Sequence, residues 1–251
     1  AEKISPKTKA ILPVHLFTQT ADLAPLLSLA EQNGFALLED AAEAFGMSYR
    51  GRKAGTLGDI GIFSFYPTKT LGAYGDAGMA VTHSEALANR LRSLRRHGES
   101  QRYFHNEVGY NSRLDSVQAA ILRIKLQTIG EDIRARAEIA SKYYRELNNI
   151  KEIRLPVIKA DCEPVFYVYS LITPYRDELK HYLDENKIGN AIYYPLPLHL
   201  QECFAFLGYR EGDFPVAEKT ARSILALPIF PDMTAEETEA VIEAVHSFFT
   251  H

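Results

Sequence analysis

The stretch GIFSFYPTKTLGAYGDAG, Gly61 to Gly78, decides how this chain is read. An apolar run ends at Phe65, a single lysine, Lys69, follows, and Gly72, Gly75 and Gly78 punctuate the rest. Lysine is among the side chains least often buried. Lys69 is therefore either a solvated loop residue or an amine held in place to react. Ser64 stands just ahead of it, at the end of the apolar run. GDIGIFSF, Gly58 to Phe65, and AGMAVTH, Ala77 to His83, read as strands on either side of this loop, with no helix-length segment between them and their mutual direction open.

Upstream, AILPVHL, Ala10 to Leu16, is a short apolar run fit for a buried strand. ADLAPLLSLAEQNG follows with Asp22 as a candidate N-cap, Pro25 in the first turn and Gly34 as a stop. FALLED, Phe35 to Asp40, returns as a strand ending in two carboxylates. Strand, helix and strand in so short a span predict a parallel unit.

Downstream, helices are predicted from Ser84 to Arg96 with Ser84 as cap, from Asp115 to about Gln127, and from Glu131 to about Leu147. In the second of these, Val117, Ala120, Ile121 and Ile124 recur at helical spacing and mark its apolar face. Beyond them VFYVYSLIT, Val165 to Thr173, alternates like a strand, and DELKHYLDENKIG is a helix with a glycine stop. NAIYYPLPLHL reads as a strand ending in prolines, and TAEETEAVIEAVHSFF is a helix whose Thr234 and Glu237 form a capping box. The expected architecture is α/β, with a large domain and connecting helix in residues 1–148 and a smaller C-terminal α+β domain in 149–251.

The chain's 251 residues are 46% hydrophobic and 24% charged, enough for a core of one domain or a domain and a half. Its net charge of -4 is spread along the sequence and leaves no footprint for nucleic acid or an acidic membrane. RLRSLRRHG, Arg90 to Gly98, is the one basic cluster and reads as the polar face of a helix. Cys162 and Cys203 match no metal spacing and suit a reduced, cytoplasmic protein. The amino-terminal AEKISPKTKA lacks the apolar core of a signal peptide and begins without Met, so the chain is expected to be a processed or incomplete piece.

Asp40 stands at the carboxyl end of a predicted parallel strand, where ligands bind in open α/β sheets, and Lys69 follows the end of another. Charges of opposite sign at one sheet edge suit a ligand with a basic ring nitrogen and an aldehyde. Pyridoxal 5'-phosphate is such a ligand, because its enzymes pair a Schiff-base lysine with an Asp near the pyridine nitrogen. Lys69 would bond the aldehyde and later carry a proton, Asp40 would stabilise the protonated ring nitrogen, Ser64 would offer a hydroxyl to the phosphate, and Glu43 would lie beside the ring oxygen. Each has a plainer reading. Asp40 fits a helix N-cap before AAEAFG, with Glu43 completing a capping box; Ser64 fits a strand hydroxyl, and Lys69 a solvated loop.

Taken together, EDAAEAFG (Glu39 to Gly46), GDIGIFSFYPTKTLGAYGDAGMAVT (Gly58 to Thr82), RRHG (Arg95 to Gly98), GYNSRLDSVQAAIL (Gly109 to Leu122) and YYPLPLHLQ (Tyr193 to Gln201) form a collinear series. The series resembles the DegT/DnrJ/EryC1/StrS family of pyridoxal-phosphate-dependent, fold-type-I sugar aminotransferases. The resemblance implies a mainly parallel sheet in the large domain, Lys69 as the Schiff-base lysine, Asp40 on the pyridine nitrogen, Ser64 on the phosphate and Ala42 against one face of the ring. It further implies a homodimer in which Asn111 reaches the partner's phosphate, a nucleotide-linked keto-sugar as acceptor and glutamate as donor. His199 and Tyr194 are candidates for the sugar-nucleotide side, with packing inside the small domain as their alternative, and Arg113 and Lys53 are candidates for its phosphates. Glu43 stands where the family usually has Gln, and the family's additional N-terminal segment precedes the region matched here. A noncatalytic or regulatory homologue, or an inactive fragment, is the rival reading. A sugar dehydratase of this fold, with histidine at the lysine position, is the other.

Overall fold

The computed structural model describes residues 2–250, which divide into two compact units: 2–133 with 158–167, and 134–157 with 168–250. In chain order the first unit holds β1 (Ala10–Ile11), α1 (Leu23–Asn33), β2 (Ala36–Asp40), β3 (Ser48–Tyr49), β4 (Arg52–Lys53), β5 (Ile60–Ser64), β6 (Gly78–Val81), α2 (Glu85–Leu94), β7 (Glu99–Gln101), β8 (Phe104–His105) and α3 (Ser116–Lys125). The helix α4 (Ile129–Leu147) starts in this unit and ends in the second, and β9 (Cys162–Glu163) belongs to the first.

The principal sheet has the order β1-β2-β5-β6. β1 and β2 run parallel with Ala10 opposite Ala36, and β2 and β5 run parallel with Asp40 opposite Ile62. β5 and β6 are antiparallel with Ser64 opposite Gly78, so the lysine loop doubles the chain back on itself. α1 ends as expected: Gly34 takes φ 65°, a left-handed turn that costs glycine nothing. Asp22 occupies the N-cap position without capping by its side chain, whose Oδ1 instead accepts from the Tyr49 hydroxyl at 2.6 Å. Leu23, Ala30 and Leu37 bury with Tyr49 and Cys162, while Phe65, Leu71 and Ala73 of the lysine loop bury against Leu122 of α3.

The orientation of α3 departs from the sequence reading. Val117 and Ile124, assigned to the apolar face, are 62% and 67% exposed, and the inward stripe is Gln118, Leu122 and Lys125. Periodicity located the helix and misassigned its face, because two polar side chains occupy inward positions.

The second unit pairs β10 (Tyr169–Ile172) antiparallel with β11 (Ile224–Leu227) and packs them with α5 (Arg176–Glu185), α6 (Pro215–Ser223) and α7 (Ala235–Thr250). Every residue of β11 is buried. The expected strand at NAIYYPLPLHL is not formed: Ala191 makes an isolated bridge to Ala226, and the chain then turns into short 3-10 helices at Leu198–Leu200 and Glu202–Leu207. Pro195 and Pro197 carry no N–H for a ladder, which leaves ILAL to supply the second strand. α5 also ends before Gly189, with Lys187 taking the left-handed φ of 59°. The capping box of α7 is formed: Glu237 N–H donates to Thr234 Oγ1 at 3.1 Å and Thr234 N–H to Glu237 Oε2 at 2.8 Å.

Candidate active site

Because β2 and β5 are parallel, their carboxyl ends deliver Asp40 and the chain leading to Lys69 to one edge of the sheet. Asp40 is fixed by its backbone, donating to Pro13 O at 2.9 Å and accepting from His15 N–H at 3.0 Å. Its Oδ1 accepts from Ala42 N–H at 3.1 Å, and its Oδ2 takes no hydrogen bond among the described residues. Ala41–Gly46 is a run of turns and not a helix, so Asp40 is no N-cap and Glu43 closes no capping box.

Glu43 turns toward the lysine instead. Its Oε2 accepts from the Phe17 N–H at 2.9 Å, and its Oε1 lies 3.3 Å from Lys69 Nζ. The two side chains are 9% and 16% exposed, so the ion pair is largely withdrawn from water. Phe17 reaches the carboxylate from a φ of 62°, uncommon for a residue with a side chain. On another side the Lys69 ammonium stands 4.6 Å from the centroid of the Tyr167 ring, an attractive cation and π-face contact. The Tyr167 hydroxyl lies 3.3 Å from Thr68 Oγ1. A lysine with a carboxylate and an aromatic ring as neighbours is no freely solvated loop residue.

Behind Asp40, strand alternation sends Glu39 to the opposite face, where it is fully buried. Its Oε2 meets His15 Nε2 at 3.0 Å and Gly55 N–H at 2.8 Å, and its Oε1 accepts from Leu57 at 2.6 Å and Gly58 at 2.7 Å. His15 Nδ1 accepts from Ala21 N–H at 3.1 Å, which places the ring proton on Nε2, pointing at Glu39. Burial pushes the Glu39 carboxyl up, and the hydrogen bonds from His15, Gly58, Gly55 and Leu57 outweigh it, leaving the group below the ordinary carboxylate range.

The lysine loop is tied at its base. Phe65 N–H donates to Ala77 O, Ala73 N–H to Phe65 O and Lys69 N–H to Tyr66 O, each at 2.8 Å. Ser64 Oγ accepts from Tyr66 N–H at 3.3 Å. Gly72 packs so closely that a Cβ there would stand 2.4 Å from Pro67 O, which excludes any side chain.

The other candidates have partners of their own. Asn111 is exposed and accepts from Arg113 Nε at 3.1 Å, just ahead of α3, so these two engage each other. Lys53 Nζ donates to Gly46 O at 3.0 Å and Ser48 Oγ at 2.9 Å. His199 and Tyr194 belong to the second unit. There His199 Nε2 lies 3.0 Å from Glu218 Oε1, and Glu218 also accepts from Gly212 and Phe214 amides. Tyr194 is half exposed, its ring 5.7 Å from that of Tyr193.

The sequence reading omitted Phe17, His15 and Tyr167 from the site. No sequence signal marks a phenylalanine for a positive φ, and Tyr167 lies far along the chain in a stretch read as strand. Glu39 was noted only as one of two carboxylates.

The profile of the DegT/DnrJ/EryC1/StrS aminotransferase family matches residues 1–246. The chain belongs to this family. It is 43% identical over 250 residues to a pleiotropic regulatory protein of Geobacillus stearothermophilus, covering 99% of this chain and 67% of that protein. It is 42% identical over 245 residues to the dTDP-3-amino-3,4,6-trideoxy-alpha-D-glucose transaminase of Streptomyces venezuelae, covering 98% of this chain and 65% of the relative. Among solved structures, S. venezuelae DesV in complex with a ketimine intermediate superposes with a TM-score of 0.97 at 42% identity, over 100% of this chain and 67% of that one. The chain thus spans about two thirds of the length of the relatives it matches. The donor set at the sheet edge fits the cofactor of a family of aminotransferases: a largely buried amine, a carboxylate with one oxygen open, and a hydroxyl at a strand end.

Proposed function

We propose that this chain carries the lysine-bearing site of a pyridoxal-phosphate-dependent aminotransferase that moves an amino group from glutamate to the keto carbon of a nucleotide-linked sugar. The observation that carries the reading is Lys69 at 3.3 Å from Glu43 and 4.6 Å from the Tyr167 ring, at the sheet edge that also ends in Asp40. Lys69 would hold the cofactor, Asp40 Oδ2 would face its ring nitrogen, Ala42 its ring face and Ser64 its phosphate. When bound, the cofactor supplies an electrophilic carbonyl carbon and a ring that withdraws electrons from the substrate Cα.

The chain's own residues then have distinct tasks. Lys69 must part with a proton before its lone pair can bond a carbon, and Glu43 Oε1 is the acceptor within reach. As a free amine, Lys69 would take up or give a proton at the substrate Cα. Asp40, held by its backbone and by Ala42 N–H, would present its carboxylate to the ring nitrogen from a fixed place at the sheet edge, without reorganisation. The Tyr167 ring and the buried Glu43 screen the amine from water.

The acceptor class is supported by the dTDP-sugar transaminase relative, and the roles expected of Asn111, His199 and Tyr194 rest on the family resemblance alone. A homodimer is supported by the outward apolar face of α3 and by Tyr103, Phe104, Val108 and Tyr110 exposed on and after the β7 and β8 hairpin. Among the described residues no helix is long and apolar enough to cross a membrane, in keeping with a cytoplasmic site of action. The regulatory relative favours one other reading, a noncatalytic homologue. Adding pyridoxal phosphate to the purified protein separates them: a visible absorbance band that Lys69→Ala abolishes supports the enzyme, and no band from the folded wild type supports the regulator.

A further inference from the structure

The polar stripe of α3 is the feature that the site does not explain. Gln118 and Lys125 flank Leu122 at helical spacing, and all three address the loop that carries Lys69. Gln118 Oε1 accepts from Tyr74 N–H at 2.8 Å, and Lys125 Nζ donates to Gly72 O at 2.7 Å, a charge-assisted bond in a partly buried setting. Leu122 buries against Phe65, Leu71 and Ala73 between them. Gly75 comes so near that a Cβ would stand 3.0 Å from Gln118 Nε2.

A helix that only filled the core would turn Val117 and Ile124 inward. Here those two face out, while the inward positions carry an amide and an ammonium matched to one N–H and one C=O of the loop. Gly72 is buried, so its carbonyl is an obligatory hydrogen-bonding group, and it is Lys125 that satisfies it; Tyr74 is exposed, and Gln118 holds its N–H. We propose that Gln118 and Lys125 are positioning residues, bracing the segment from Leu71 to Gly75 so that Lys69 keeps its approach to a bound aldehyde. The proposal rests on Lys69 as the covalent residue. It adds that the loop's own turns do not suffice and that α3 contributes to the precision of that lysine.

The test uses the full chain with pyridoxal phosphate, trapping with borohydride and quantifying modified Lys69 by mass spectrometry over a range of cofactor concentrations. Lys125→Met and Gln118→Ala are expected to lower the saturating rate of adduct formation by about tenfold, as misplacement of a reacting group does, with the half-saturating concentration nearly unchanged. Lys125→Arg is expected to recover most of the rate. In the same proteins without cofactor, hydrogen exchange of the amides from Leu71 to Gly75 should accelerate while α1 and β2 keep wild-type protection, which also establishes that the variants fold. A wild-type saturating rate in both variants, or wild-type exchange in that segment, overturns the brace while leaving Lys69's role intact. No trapped Lys69 in the wild type refutes the covalent reading instead, and exchange then still decides whether α3 holds the loop.

Discussion

Glu39 shows how a buried charge is made tolerable at the scale of one residue. Its two oxygens receive one imidazole and three amide donors, so the carboxylate is satisfied without water. Glu39→Gln would put an amide NH2 against donors that need an acceptor, and the loss is expected to be roughly 3 kcal/mol, the upper scale for leaving buried hydrogen-bonding groups unsatisfied. Urea denaturation at neutral pH checks it. The sign with pH follows from the lowered folded-state value: the contribution is complete above the ordinary carboxylate range of about 4.5 and fades as pH falls through the lower folded value. The gap between wild type and variant should therefore narrow as pH falls below about 4.5, and a gap that stays constant from neutral pH downward would contradict the charged state of Glu39. Asp40, Lys69 and the strand ends that bear them were legible in the sequence because each follows an apolar run. Glu43 was also a candidate, but its pairing with Lys69 was not legible, nor were the Phe17 amide that holds Glu43 and the Tyr167 ring beside Lys69, since these meet through a turn, a positive φ and a distant segment.

At the scale of elements, helix ends offer the cleanest comparison. Gly34 at φ 65° has open space around its missing Cβ, so Gly34→Ala tests backbone conformation alone and should cost about 1 kcal/mol. Lys187 holds the same region at φ 59° with a side chain, and Lys187→Gly should gain about 0.5 kcal/mol. Opposite shifts in denaturation midpoint check both; equal signs would mean that side-chain contacts dominate at these caps. The Gly34 stop was readable from its position after an apolar stripe, whereas the end of α5 was assigned to Gly189 because no local signal marks a lysine for the left-handed region. β11 escaped notice for a related reason. ILAL is a four-residue run with no alternation, as fully buried strands are, and it sits directly after a helix.

For the whole molecule, the outward apolar face of α3 and the exposed aromatics near β7 and β8 are the surfaces that a second copy would cover. Val117→Glu combined with Ile124→Glu is expected to convert a dimer to monomer in sedimentation velocity without changing the helical signal. A wild type that sediments as a monomer would refute the shared site implied for Asn111. Family membership was legible because its motifs are collinear. The inward polar stripe of α3 was not, because periodicity reports where a face is and leaves open which face turns in.

Peptide mapping decides whether Lys69 is the amine that, as proposed, bonds the cofactor. After incubation with pyridoxal phosphate and reduction with borohydride, a single modified lysine is expected, in the peptide containing FYPTKTLG, Phe65 to Gly72. Modification spread over surface lysines with Lys69 unmodified would contradict it.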